Sequence, residues 1–202
     1  MKKIICLIIT GVTLLSSSFA QQKKEILLAE VQIKIATQAA PVEFREGAKV
    51  YGYNPEGKFV TLREGTNGYI CLAPDYIMDT YYAYCYPISL EPLMARGREL
   101  IAEGKRKERD AIREKEYKEG KLYMPQHPTT LFGYWGSSSK LNKETGEMTD
   151  AKRRYVIYVP FAKAADLGLS NKPNNLGMPW LMDECSYKAH IIITPPLEPH
   201  KH

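Results

Sequence analysis

Arg63-Glu64-Gly65-Thr66-Asn67-Gly68-Tyr69-Ile70-Cys71-Leu72 joins two glycines and an Asn-Gly pair to a short apolar run that holds a cysteine. How this stretch turns decides how the strands of the N-terminal half pair. Asn and Gly both tolerate positive φ, and together they are the strongest short-range signal for a two-residue hairpin. On that reading, residues 69–72 return antiparallel to residues 63–66. Just upstream, residues 49–53 (KVYGY) and 58–63 (KFVTLR) read as strands. Asn54-Pro55-Glu56-Gly57 between them has the residue order of a type I turn. The expectation is a three-stranded meander. The same stretch has a functional reading, in which Gly65 and Gly68 free the backbone so that Thr66 and Asn67 face a ligand.

Working outward, residues 75–87 (DYIMDTYYAYCYP) hold five tyrosines. If this is a strand, its period of two puts Tyr82, Tyr84 and Tyr86 on one face, with Ala83 and Cys85 on the other. The three rings either pack with their hydroxyls toward water or form a platform for a sugar or peptide. Cys71 and Cys85 fall in this strand-rich region and are the expected disulfide, with Cys185 left over. Closing a loop of about 15 residues stabilises by roughly 3 kcal/mol in the chain-entropy model.

Residues 24–40 show apolar positions three and four apart (Leu27, Leu28, Val31, Ile35, Ala39) before Pro41, the pattern of an amphipathic helix. Residues 91–120 read as one long, highly charged helix, with Glu103–Lys107 and Glu114–Lys118 at pairing distance. Its sparse apolar stripe suits a helix that touches the domain along one seam. Residues 129–135 and 154–159 read as strands joined by a long mobile loop, 136–153. A short helix at 162–167 and a closing hairpin of 179–182 with 189–194 complete the pattern. The fold class is α+β: one domain over residues 21–194, an antiparallel sheet with an N-terminal helix and a long mid-chain helix. A disordered tail follows at 195–202.

The N-terminus reads as an address. Met1-Lys2-Lys3 precedes twelve apolar residues (4–15), and small residues at Ser18 and Ala20 fit a signal peptidase. Cleavage after Ala20 sends the chain to the periplasm or the cell exterior. No later apolar run reaches the roughly 20 residues of a membrane span, so no membrane association is expected after cleavage. Removing Lys2 and Lys3 takes the net charge from +5 to +3. That surplus is small and laced with acids, which argues against nucleic acid as a partner.

The 63–72 stretch, the second cysteine after it, RYVIYVPFA (154–162), ADLGL (165–169) and the closing GMPWLM and AHIIIT together resemble a family of uncharacterised exported bacterial proteins. The family carries an R-E/A-G-T-N-G-[FWY]-x-C stretch, and no activity comes with the resemblance. The chain departs from it at Arg153-Arg154, where a Pro-His pair is common, and at Cys185, where a glycine-rich turn is expected.

Catalytic motifs are sparse. The Ser137–Ser139 run lacks the second glycine of a Gly-x-Ser-x-Gly elbow, and neither a phosphate-cradling loop nor a His-Glu-x-x-His helix occurs. Cys185 and His190, with His127 as a third candidate, could form a Cys–His pair if a cationic or basic neighbour lowered the thiol pKa. His200 and His202 on a floppy tail make a poor preformed metal site. No metal or cofactor is expected. Two functions follow: a secreted binding module using Thr66, Asn67, Tyr82, Tyr84 and Tyr86, with a glycan, cell-wall or protein partner, or a small hydrolase or transferase using Cys185 and His190.

Overall fold

The computed structural model describes residues 25–174 and 176–196. The expected signal sequence and all but the first two residues of the expected tail lie outside these. The chain forms an α+β domain on one eight-stranded sheet, ordered β2-β1-β3-β4-β5-β6-β8-β7. The strands are β1 (Lys49–Tyr53), β2 (Phe59–Arg63), β3 (Tyr69–Leu72), β4 (Thr80–Pro87), β5 (Thr129–Ser137), β6 (Lys152–Tyr158), β7 (Trp180–Met182) and β8 (His190–Ile193). The turn at Asn54–Gly57 forms as expected. The Gly57 N–H donates to the Asn54 carbonyl at 2.9 Å, and Gly57 takes φ 77°.

The meander does not form. β3 lies on the far side of β1 from β2, parallel to β1 and antiparallel to β4. Of the Asn67-Gly68 pair only Gly68 has positive φ, so the primed hairpin turn is absent. Instead residues 64–68 cross the end of β1, where the Thr66 and Asn67 N–H groups donate to the Gly47 carbonyl at 2.8 and 3.3 Å. Gly65 is required there by close approach, since a Cβ would sit 2.5 Å from the Lys49 nitrogen.

One face of the sheet is covered by α1 (Ala29–Thr37), whose Val31, Ile35 and Ala36 pack on Val50, Cys71, Ala83 and Cys85, and the short α2 (Val42–Arg45) leads from it to β1. Gln32 fixes α1 to β1: its Nε2 donates to the Tyr53 carbonyl, and its Oε1 accepts from the Tyr53 N–H, both at 2.8 Å. The Cys71–Cys85 disulfide lies in this core, joining residues directly opposite each other on β3 and β4. The expected mobile loop over 136–153 is shortened by β5 and β6, and residues 138–151 between them pack as a flap on α1. Leu141 bridges Met148, and the buried Met148 donates its N–H to the Tyr134 hydroxyl at 2.8 Å. Gly146 sits where a Cβ would come within 2.5 Å of the Lys34 carbonyl carbon. Leu141, Met148 and Ala151 dock the segment on the α1 cluster, and Gln38 Nε2 donates to the Thr145 carbonyl at 3.1 Å.

The other face carries α3 (Glu91–Ala102) and α4 (Arg109–Lys118). The single long helix expected here is broken at Gly104, which takes φ 77°, and α4 folds back beside α3. Arg96 on α3 meets the Glu116 carboxylate at 2.8 Å, and Arg113 Nη1 reaches the Leu93 carbonyl at 3.3 Å. Glu114 pairs with Lys118 as expected, whereas Glu103 turns to Lys105 and Arg96 instead of Lys107. α5 (Ala164–Leu167) ends on left-handed Gly168, and the closing hairpin forms with Trp180 opposite Ile192. No helix among the described residues is long and apolar enough to cross a membrane.

Candidate functional site

The helical pair leaves part of its sheet face open, and that part is aromatic. Register fixes its composition: Tyr82 on β4 lies opposite Trp135 on β5, and Tyr84 lies opposite Gly133, which in turn faces Arg154 on β6. The Tyr82 ring runs nearly parallel to Tyr84 (centroids 6.5 Å apart, 11°) and to Trp135 (6.1 Å, 15°). The Arg154 guanidinium stands 5.1 Å from the Trp135 ring centroid. Between these side chains lies a hollow of about 110 Å³ with Leu131 and Val156 in its lining. Gly133 lines it, and a Cβ there would fit in ordinary contact with Arg154 and Tyr84, at 3.5 Å or more.

Charge on this surface is one-sided. Arg154 Nε donates to the Thr194 hydroxyl at 3.2 Å, and among the described residues no carboxylate pairs with its guanidinium. Lys152, cross-strand from Trp135, is exposed as well. Burial pushes the Tyr84 phenol above its ordinary range, helped by Tyr82 and opposed by Arg154. Tyr84 therefore keeps its proton at neutral pH and can donate it.

Tyr86 shares the face but not the surface, which corrects its expected place in an exposed tyrosine row. It is wholly buried under α3. Its hydroxyl donates to Glu91 Oε2 and accepts from Arg98 Nη1, both at 2.8 Å. Burial drives its phenol far above the ordinary range. Tyr86 latches the helical pair to the sheet.

Thr66 and Asn67 sit elsewhere. Their loop meets the far end of β4, where the Ile88 N–H donates to the Gly68 carbonyl, about 20 Å along the chain from Tyr82 at 3.3 Å per residue. The Asn67 amide is taken up internally: Nδ2 donates to the Phe44 carbonyl at 2.7 Å, and Oδ1 accepts from the Tyr69 N–H at 3.0 Å. Thr66 is exposed.

Cys185 is an exposed free thiol in the β7–β8 connection, at φ 61°, with its N–H donating to the Ala162 carbonyl. His190 Nδ1 lies 2.7 Å from the Lys188 carbonyl, and its ring packs against Tyr158. Burial lowers the His190 pKa, against that hydrogen bond. Among the described residues no hydrogen bond joins Cys185 to His190.

The sequence points to neither Trp135 nor Gly133, and to Arg154 only as a departure from the family pattern. The available signal was an isolated glycine inside the strand TTLFGYW, which marks a place where something can approach the backbone. Compared with protein-family models, curated proteins and solved structures, the chain finds no match.

Proposed function

We propose that this protein is an exported binding module that holds its ligand on the open part of the sheet, against Tyr82, Tyr84 and Trp135. The observation that carries this reading is the row of nearly parallel rings left uncovered beside an unneutralised guanidinium. Large aromatic side chains dominate binding energetics because they present much area with few torsions to immobilise. Contiguous exposed apolar surface on a soluble domain marks interaction sites. Export rests on the positive start, twelve-residue apolar stretch and small-residue exit of residues 1–20, and the Cys71–Cys85 disulfide suits an oxidising compartment. No observation favours a reaction at Cys185 and His190.

A thermal-shift screen against cell-wall fragments, glycans and peptides tests the reading. A ligand at a hundred times its Kd adds about 2.7 kcal/mol. In a domain of this size that raises the midpoint by roughly 5–11 °C. Trp135→Ala abolishes the shift if the ligand lies on the open face. A shift that survives both Trp135→Ala and Tyr82→Ala places the ligand elsewhere and refutes the reading.

A further inference from the structure

We infer that the ligand is a saccharide bearing a carboxylate, its ring lying on Trp135 and Tyr82 and its acid group meeting Arg154. This rests on the open sheet face being the binding surface, and three features of that face define the chemistry.

The first is charge. The arginines of α3 and α4 meet carboxylates: Arg98 meets Glu91, Arg96 meets Glu116, and Arg109 and Arg113 share Asp110. Arg154 is fixed by Trp135 and Thr194 but has no carboxylate of its own among the described residues. A planar guanidinium held in place with free N–H groups matches a carboxylate in two-point geometry. With Lys152 as the other cation on this face of β6, the surface suits one acid group. A nucleic acid backbone would require a run of cations.

The second is the backbone. Beneath the hollow, β5 is paired along one side to β4 and along the other to β6. It has no spare main-chain donor or acceptor. A peptide relies on such groups when it adds to a sheet edge. A pyranose needs only ring faces and side-chain polar groups, and Trp135, Tyr82 and the Tyr84 hydroxyl supply these.

The third is size. Pockets that enclose drug-sized ligands run to about 300–1,000 Å³. A hollow of about 110 Å³ above Gly133 takes a single small substituent while the ring stays outside on the aromatic faces.

Calorimetric titration with N-acetylmuramic acid and trigalacturonic acid, each beside its own methyl ester, tests the assignment on the unaltered protein. At least one acid binds about tenfold or more tightly than its ester, the scale of a hydrogen bond to a charged group. Arg154→Gln weakens the acid more than the ester and so removes that difference. Equal affinity for acid and ester overturns the carboxylate assignment. If Trp135→Ala still abolishes both in that case, the open-face reading survives. Acid binding that ignores both Trp135→Ala and Tyr82→Ala overturns the assignment and the reading together. Absence of saccharide binding, or saturable binding of an acidic peptide in its place, also overturns the assignment, and the screen above then judges the surface separately.

Discussion

Tyr82 and Tyr86 stand four residues apart on one strand and one face, yet they have opposite fates. Tyr86 is sealed under α3, with its hydroxyl shared between Glu91 and Arg98. Tyr82 is 43% exposed beside Trp135. The strand presents the same chemistry at both ends, and the reach of the helical pair divides it into core and surface. An aromatic strand is thus a structural element where it is covered and a binding candidate where it is not.

The largest effect that sharpens this contrast is on stability. Tyr86→Ala empties a sealed site and strands the Glu91–Arg98 pair, so urea denaturation should show a loss of about 3–5 kcal/mol. Tyr82→Ala, at the surface, should change stability by less than about 1 kcal/mol. Similar losses for the two would erase the distinction between the halves.

Replacing Cys71 and Cys85 by Ala should remove about 3 kcal/mol. That lowers the melting midpoint by roughly 6–12 °C. Because the disulfide lies in the core under α1, ligand affinity on the opposite face should not change in the protein that remains folded.

Gly133→Ala should act the other way round. Its Cβ fits without clash, and Ala in place of Gly within a strand stabilises by about 0.5–1 kcal/mol. The same methyl takes up part of the hollow and should weaken binding several-fold in calorimetry. Unchanged affinity would show that the hollow holds nothing.

The smallest effect concerns the covered half at low pH. Burial of Asp110 opposes its ionisation, but Arg109 and Lys188 outweigh it and hold the carboxyl well below the usual range. A depressed carboxyl contributes stability above its unfolded pKa and loses it as the pH falls. The stability gap between the protein and Asp110→Asn should therefore be full at neutral pH and narrow below about pH 4. A gap independent of pH would deny Asp110 this role.

What the sequence reveals about this fold is local. The residue order of Asn54–Gly57 sets a turn, the alternation in β4 sets which tyrosines share a face, and the Cys71–Cys85 pairing follows from two neighbouring strands. Long-range decisions are not written so plainly. Asn67-Gly68 has hairpin chemistry, but β1 offers β3 a parallel partner that local preference does not foresee. Gly104 weakens a helix from within, yet the reversal depends on Arg96 and Glu116 meeting across 20 residues. The site is legible only in part for the same reason. Tyr82 and Tyr84 are visible in one strand, whereas Trp135 and Arg154 join them through the registers of β4, β5 and β6.

The most direct measurement uses the protein's own reporter. The chain has two tryptophans, so Trp180→Phe leaves Trp135 as the sole source of indole fluorescence. Titrated with a ligand that stabilises the fold, this variant should show a saturable change in emission whose midpoint matches the binding constant, and Tyr82→Ala should abolish it. A ligand that stabilises the protein while Trp135 emission stays constant would contradict the account.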